Sequence, residues 1–394
     1  MASEASGLAP ARGKQVALSD WILNNTLRNP LRLVGWIFLI LLAAIAANNI
    51  ASGEYELDQF LRQLIFGLSQ GSIYALIALG YTLVYGILSM INFAHSEVFM
   101  AGAYMGFFAI NHASVTGLLV EHPLLSIVIT FIVAMTASVI IAVLLERIAY
   151  RPLRGAPRLV PLITAIGASF TLQYLFAQLF GSDPRTYPDV HWYVLPNVFP
   201  NLECSEVNGS QVCLGLDLIS GLYPVQIFGL ELRLRPISFI VFAVALLLMG
   251  GLWYIVRHTK TGKAMRAVAE DKNTAALMGI NVDRVIVTTF VLGAALAGAG
   301  AILFELIPGN RQVTPFMGFF PGLKAFTAAV LGGIGNIPGA MFGGLFLGVM
   351  ESVAPSLLGI SSQLEDVVVF GMLVLVLIFR PTGILGEVLS EKKA

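Results

Sequence analysis

The polar residues best placed for chemistry form one cluster, in the stretch MINFAHSEVF (90–99) between two long apolar segments. The cluster offers an amide, an imidazole and a carboxylate, from Asn92, His95 and Glu97. A carboxylate among apolar segments is costly unless it is paired or hydrated. Two interpretations are open. Either the cluster lines or gates a path through the protein, or Asn92, Ser96 and Glu97 cap the start of the next helix, where an acidic residue is favoured.

The sequence contains no pattern that predicts catalysis. Gly13-Lys14 and Gly262-Lys263 lack the GxxxxGK[ST] spacing that a phosphate-binding loop requires. No HExxH motif or Ser/His/Asp arrangement is present, and two cysteines alone do not make a metal site. We therefore expect no nucleotide, cofactor or metal on this chain, and no enzyme activity.

Two tyrosines extend the list of candidates into the preceding apolar segment. Tyr74 and Tyr85 belong to a polar stripe between residues 69 and 85. Together with Asn92, His95 and Glu97, they are our candidates for lining a path or gate. The alternative is structural, because hydroxyl groups in apolar helices often bond neighbouring helices.

Two further charged residues lie near the ends of apolar segments. Long charged side chains at such positions usually extend to the polar interface, so we expect Lys324 and Glu351 there. Since no strong charge is then left in the apolar interior, coupling of transport to protons is disfavoured.

The composition places these residues in a membrane protein. Of the 394 residues, 57% are hydrophobic and 12% are charged, and the mean hydropathy is +0.82. A soluble domain carries about 25% charged residues. We predict an all-α, polytopic transmembrane bundle of about ten segments, helical because lipid offers no partner to an open backbone. The predicted segments are 33–47, 62–88, 96–112, 124–146, 159–181, 236–256, 284–307, 322–335, 337–356 and 364–380.

The loop charges predict the orientation. Residues 147–158 and 257–284 are rich in Arg and Lys, whereas 182–235 is acidic on balance. Basic loops favour the cytoplasm, so the first two should be cytoplasmic, the third periplasmic, and both chain ends cytoplasmic. Glycine and proline in GNIPG (335–339) interrupt the segment 322–356, which either crosses twice or enters and leaves as a broken, re-entrant pair.

The two ends of the chain and the periplasmic loop add three predictions. Residues 1–58 form a polar leader with an extra membrane anchor, although a cleaved signal peptide is the alternative. Residues 59–386 form the transmembrane domain and 387–394 a cytoplasmic tail. Cys204 and Cys213 would pair as a disulfide if their loop faces an oxidising compartment, or remain two separate thiols otherwise.

The segment 257–284 is the longest charged interruption between apolar segments. Residues 264–278 favour helix because they are rich in alanine and methionine and lack glycine and proline. Gly279 follows as a helix terminator, and Asp271 or Asn273 could cap a second short helix. A short helix in which Ala276, Leu277 and Met278 lie beside charges can bury little within its own loop. Such a segment suits docking onto another protein. An ordinary amphipathic connector at the membrane surface is the alternative.

Several long motifs resemble the permease subunits of branched-chain amino acid ABC importers. They are YALIALGYTLVYG and MINFAHSEVFM within 69–100, AMRAVAEDKNTAALMGINVDRVI (264–286), KAFTAAVLGGIGNIPGAMFGGLFLG (324–348) and RPTGILG (380–386). The resemblance covers about residues 60–386. Residues 1–58 and the cysteine-bearing loop depart from the family pattern.

The resemblance implies a complex in the bacterial inner membrane. This chain would pair with a homologous second permease, two ABC ATPase subunits and a periplasmic substrate-binding protein. Its ligands would be an amino acid and membrane lipid, with no nucleic acid. Residues 264–283 would couple the chain to the ATPase, through Arg266, Glu270, Asp271, Ala275 and Gly279.

The function that the resemblance implies is ATP-driven import of branched-chain and other hydrophobic amino acids by alternating access. Two alternatives to it remain. Related permeases carry urea or short amides, so the substrate is open. A stand-alone secondary carrier or channel is the alternative from another class, and it would work without ATPase subunits.

Overall fold

A computed structural model of the chain describes residues 40–53 except 42 and 46, 56–157, 159–194, 204–207, 210–213, 216–227 and 230–386. Helices dominate this part of the chain. They are α1 (Leu57–Leu88), α2 (His95–Val115), α3 (Leu118–Glu121), α4 (Pro123–Leu145), α5 (Leu159–Phe180), α6 (Pro236–His258), α7 (Lys260–Glu270), α8 (Lys272–Leu277), α9 (Val282–Leu306), α10 (Phe319–Gly332), α11 (Ile337–Leu357) and α12 (Glu365–Phe379). A π-helical turn (Glu146–Tyr150) and a 3-10 turn (Arg151–Leu153) extend α4, and a second 3-10 turn (Ser362–Leu364) precedes α12.

Seven of the described helices are long and apolar enough to cross a membrane: α1, α2, α4 with its extension, α5, α6, α9 and α11. The helix α10 is apolar but has only 14 residues, and α12 has 15. Among the described residues, an all-α polytopic fold is therefore confirmed. The count of ten segments stays a prediction, because much of the predicted segment 33–47 lies outside the described residues. The predicted cytoplasmic tail 387–394 also lies outside them.

Small residues bring α1 and α11 together as antiparallel neighbours. A Cβ atom on Gly71 would lie 2.7 Å from the carbonyl oxygen of Gly344, and one on Gly67 would lie 2.8 Å from that of Gly348. Only glycine permits this backbone approach. Gly67 and Gly71, four residues apart on α1, thus both lie in this helix contact.

A second close contact fixes α2, α4 and α9. A Cβ atom on Gly102 would lie 3.0 Å from the Cα atom of Gly298. The hydroxyl of Ser138 donates to the carbonyl of Val98 over 2.9 Å. These three helices, with α1, hold the core of the bundle, in which alanines lie among larger aliphatic and aromatic side chains.

The two ends of the bundle differ. The first, which we call the basic end, carries 146–158 and the short helices α7 and α8. The opposite end carries the loop 181–235 and is called the hairpin end, because short antiparallel strands form there. These strands are β1 (Arg185–Thr186) with β8 (Gln312–Val313), β2 (Tyr193–Val194) with β5 (Leu216–Asp217), β3 (Cys204–Val207) with β4 (Ser210–Cys213), and β6 (Tyr223–Ile227) with β7 (Leu230–Leu234).

A buried carboxylate organises the loop at the hairpin end. Asp217 accepts hydrogen bonds from the ring of His191 (2.7 Å) and from the backbone N–H of Ile219 (3.0 Å). Burial raises the pKa of Asp217, but these bonds outweigh that effect and place the pKa below its ordinary value.

Candidate functional site

The segment 257–284 forms two short helices at the basic end. The Thr259 hydroxyl caps α7 by accepting from the N–H of Gly262 (3.2 Å). The Asp271 carboxylate caps α8 by accepting from the N–H of Asn273 (2.8 Å). Gly279 has φ of +83°, which an L side chain rarely adopts. The two predicted helices, the Asp271 cap and the Gly279 terminator are all confirmed.

This segment presents an unpartnered apolar surface. Leu277 is 88% exposed and Met278 is 78% exposed, whereas Met265, Val268 and Ala275 are buried beneath them. We call Leu277 and Met278 the apolar tip. Buried side chains anchor the helices to the bundle, so the tip is held in place rather than left on a loose loop.

The five coupling residues predicted from the sequence have different positions. Arg266 donates from its guanidinium to the carbonyl of Val256 and so holds α7 against the end of α6. Asp271 is the cap, Ala275 is buried and Gly279 ends the helix turn, while Glu270 is exposed. Four of the five therefore shape the segment. The sequence signal for the tip was an apolar pair directly before a glycine terminator.

An ionic network joins this segment to the extension of α4. The Arg154 guanidinium pairs with both Glu146 and Asp283. Arg151 adds a second contact to Asp283 at 2.7 Å. Burial, followed by the charge of Arg154, lowers the pKa of Lys272 on α8. Because Glu146 is fully buried, its pairing with Arg154 offsets a large desolvation cost.

The same extension reaches the polar cluster 90–99. The Tyr150 hydroxyl, at the end of the π-helical turn, donates to the side-chain oxygen of Asn92. The segment 257–284 and the polar cluster are thus linked through one short stretch, Glu146 to Arg154. Sequence reasoning missed this link, since the segments that it joins, 90–99, 146–154 and 257–284, are far apart in the chain.

Two helices, α2 and α10, begin at the polar cluster. The ring of His95 lies against Gly80 and Gly293, where a Cβ atom on Gly80 would be 1.9 Å from the imidazole. Gly293 is 11 residues into α9, or about 16 Å along it. The start of α10 contacts the same place, because a Cβ atom on Gly318 would lie 2.4 Å from the carbonyl oxygen of Ser96. We call this mid-depth meeting point the junction.

Glu97 joins helices at the junction and does not cap one. Its Oε1 atom accepts from Gln173 (2.8 Å), Ser169 (2.9 Å) and Ser96 (3.1 Å), and the side chain is fully buried. The start of α2 has no side-chain cap. The capping interpretation is therefore wrong for Asn92, Ser96 and Glu97. The Glu97 side chain bonds to α5 and that of Asn92 to Tyr150, while the Ser96 hydroxyl donates to Glu97 and to the carbonyl of Phe93.

A small cavity opens beside the junction. It has a volume of about 80 Å³. Aromatic and aliphatic side chains form its wall, together with the two serines Ser96 and Ser169. The lining residues are Tyr81, Phe93, Ser96, Ile166, Ser169, Phe170, Phe319 and Leu323.

The two predicted tyrosines lie apart from this cavity. Tyr74 lies nearer the hairpin end, where its hydroxyl donates to Glu351 over 3.1 Å. Tyr85 is half-buried near Gly335, toward the basic end. The structure therefore brings together three of the five candidates, Asn92, His95 and Glu97.

The expectation for Lys324 and Glu351 is wrong. Both are buried, and their Nζ and Oε1 atoms form an ion pair at 2.7 Å. The segment 322–335 proved to be a short helix that starts inside the bundle, so Lys324 lies inside as well. Charged side chains are therefore present in the apolar interior, and coupling of transport to protons is no longer disfavoured on that ground.

Cys204 and Cys213 face each other in the register of β3 and β4. The disulfide stays a prediction. Within the described residues, no group of three or more His, Cys, Asp or Glu side chains could hold a metal ion.

Comparison with known proteins identifies the chain. Residues 63–377 match the family described as the branched-chain amino acid transport system / permease component. The permease protein BraD of the high-affinity branched-chain amino acid transport system of Pseudomonas aeruginosa is 43% identical over 86% of this chain and 99% of its own. The corresponding permease protein LivH of Escherichia coli K12 is 41% identical over 84% and 97%.

A more distant relative comes from Methanocaldococcus jannaschii. Its probable branched-chain amino acid transport permease protein LivH is 26% identical over 80% of this chain and 89% of its own. No solved structure matches the chain significantly. The family match over four-fifths of the sequence, with relatives above 40% identity along nearly their whole length, shows that this protein belongs to the permease components of branched-chain amino acid transport systems.

Proposed function

We propose that this chain is the permease subunit of an ATP-driven importer that carries branched-chain and other hydrophobic amino acids across the bacterial inner membrane. Its relatives BraD and LivH are named as permease proteins of such transport systems. The complex would contain a homologous second permease, two ABC ATPase subunits and a periplasmic binding protein. The basic end, with both termini, faces the cytoplasm on the charge pattern of the loops.

The exposed apolar tip carries this proposal. Leu277 and Met278 are among the most exposed large apolar side chains outside the long helices. Exposed apolar residues rimmed by charge mark protein contacts, and the basic end is where a cytoplasmic ATPase would bind. The neighbouring charged groups, Arg266, Glu270 and Lys272, would surround the contact. The tip inserts into a cleft of the ATPase as a rigid unit.

ATPase movement reaches the junction through the ionic network. A displacement of α7 and α8 moves Asp283 and Lys272, which act on Arg154. The π-helical turn then carries the displacement to Tyr150 and Asn92. Such turns are frequent at functional sites and are easily rearranged. The junction, where α2 and α10 begin, alternates between access from the two sides of the membrane.

The cavity at the junction suits an aliphatic side chain. Its wall of Phe, Leu, Ile and Tyr side chains offers dispersion contacts, and the hydroxyl oxygens of Ser96 and Ser169, whose protons are donated to Glu97, could accept hydrogen bonds. At about 80 Å³ it is below the 300–1,000 Å³ typical of ligand pockets, so the junction opens further during transport or borrows surface from the second permease.

Reconstitution tests the function. The chain, its second permease, the ATPases and the binding protein are placed in proteoliposomes, and radiolabelled leucine uptake is measured with and without ATP. We expect accumulation only with ATP and all partners, and none of radiolabelled urea. Uptake of urea instead of leucine would identify an amide permease. Accumulation by this chain alone would identify a stand-alone carrier and overturn the proposal.

A further inference from the structure

A second cavity lies nearer the hairpin end, separate from the junction. It has a volume of about 300 Å³, within the range of small-ligand pockets. Helices α1, α9, α10, α11 and α12 and the loop 309–312 form its wall. The lining residues are Gln70, Tyr74, Phe304, Gly309, Asn310, Gln312, Met317, Phe320, Pro321, Lys324, Glu351 and Glu365.

The charges around this cavity do not balance. Lys324 donates to Glu351 (2.7 Å), and its Nζ atom lies 2.8 Å from Asp366 and 3.4 Å from Glu365. One cation therefore faces three carboxylates. The second oxygen of Glu351, Oε2, has no hydrogen-bond partner although the residue is only 6% exposed. A buried carboxylate oxygen without a partner is costly, and a bound cation would remove that cost.

The remaining wall distinguishes between classes of cation. Apolar side chains from Phe304, Met317 and Pro321 lie beside the carboxylates. An inorganic ion would gain nothing from them, whereas an aliphatic ammonium compound would use both surfaces. The amide and hydroxyl groups of Gln70 and Tyr74, which bond to each other over 3.1 Å, add acceptors at the same wall.

We propose that this cavity is a binding site for a primary ammonium group on an aliphatic chain, recognised by Glu351, and that amino acids enter the permease through it. The part of the proposal that concerns amino acids rests on the proposed function. The ammonium of Lys324 pairs with Oε1 of Glu351 and lies beside Glu365 and Asp366, so it repels a second ammonium and acts as a tethered competitor for these carboxylates. A ligand ammonium takes the free oxygen and shares the neighbouring carboxylates of α12.

Direct binding to the assembled transporter, without binding protein and without ATP, tests this site. Radiolabelled 3-methylbutylamine and leucine are the probes, and 4-methylpentanoate, which lacks the ammonium group, is the negative probe. We expect the first two to bind and the third not to bind. Sodium ions at equal concentration should not displace the amine; displacement would indicate an inorganic cation site and overturn the proposal.

Three variants separate recognition from structure. Glu351→Gln should weaken amine binding at least about tenfold, since it removes a charged partner. Lys324→Met should strengthen it, because the tethered competitor is gone. Glu121→Gln, an exposed carboxylate near the same end, should change nothing. A merely structural ion pair predicts that the first two variants lose thermal stability alike and that neither changes amine affinity.

The outcome is independent of the transport assay. If wild-type protein fails to bind the amine while ATP-driven leucine uptake persists, the site proposal fails and the function stands. If amine binding follows the expected pattern but leucine is not accumulated, the function fails and the site stands. If Glu351→Gln does not fold, the opposite shift expected for Lys324→Met decides the question.

Discussion

Truncation of the apolar tip gives the sharpest test of how this permease engages its ATPase. Leu277 is 88% exposed in the isolated chain, so nearly its whole side chain is available to a partner. Full burial of a leucine side chain contributes about 1.5–3 kcal/mol. Taking about 2 kcal/mol for Leu277→Ala, and 1.4 kcal/mol per tenfold change, the affinity for the ATPase should fall by about 30-fold.

Biolayer interferometry would measure this effect, with the permease pair immobilised in nanodiscs and the purified ATPase in solution. The matched control is Leu247→Ala on α6, which removes a leucine that is 73% exposed in the long apolar span. We expect that control to bind normally, because Leu247 would face lipid. The thermal stability of Leu277→Ala should match wild type, since the side chain has few neighbours to lose.

Two results would refute the reasoning. Equal affinity of Leu277→Ala and wild type would mean that the tip is not buried in the complex. An equal loss for both leucine variants would show that the assay reports general damage. In either case the segment 257–284 would be better interpreted as an amphipathic connector at the membrane surface.

Three further predictions concern residues that support the tip and the junction. A fourth prediction concerns the two cysteines of the predicted periplasmic loop. Glu97→Ala should reduce both thermal stability and uptake, since it leaves three donors unpaired at about 1–3 kcal/mol each; Glu97→Gln should recover stability, and equal stability of both variants would contradict the assigned bonds. Arg154→Met should destabilise the protein by about 3–5 kcal/mol by leaving a buried carboxylate unpaired, measured by thermal unfolding in detergent; unchanged unfolding would remove Arg154 from the network. Gly279→Leu should abolish ATP-driven uptake, because a leucine at this positive φ strains the backbone that ends the segment. Membrane insertion should persist, because a Cβ atom there meets no other atom within 4 Å. Unaffected uptake would count against a coupling role. Thiol labelling of denatured, unreduced protein should leave Cys204 and Cys213 unmodified, and full labelling would reject the disulfide.

The anchors of the coupling segment show how far sequence patterns extend. Asp271 and Gly279 act within three or four residues of themselves, through a cap and a turn. Local interactions of this kind follow from residue type and spacing alone.

The sequence alone determined the membrane class, seven of the helical spans, the two short helices at the basic end and the family. Hydrophobicity, helix signals and motif spacing are all local properties, and they needed no knowledge of which helices touch. The tertiary structure alone decided the partners of buried charge. Glu97 bonds to α5, 72 and 76 residues away along the chain, and Lys324 pairs with Glu351, 27 residues away. The depth of such a side chain in the bundle depends on where its helix begins and ends and on which helix faces are in contact. Packing between segments that are distant in the chain sets both.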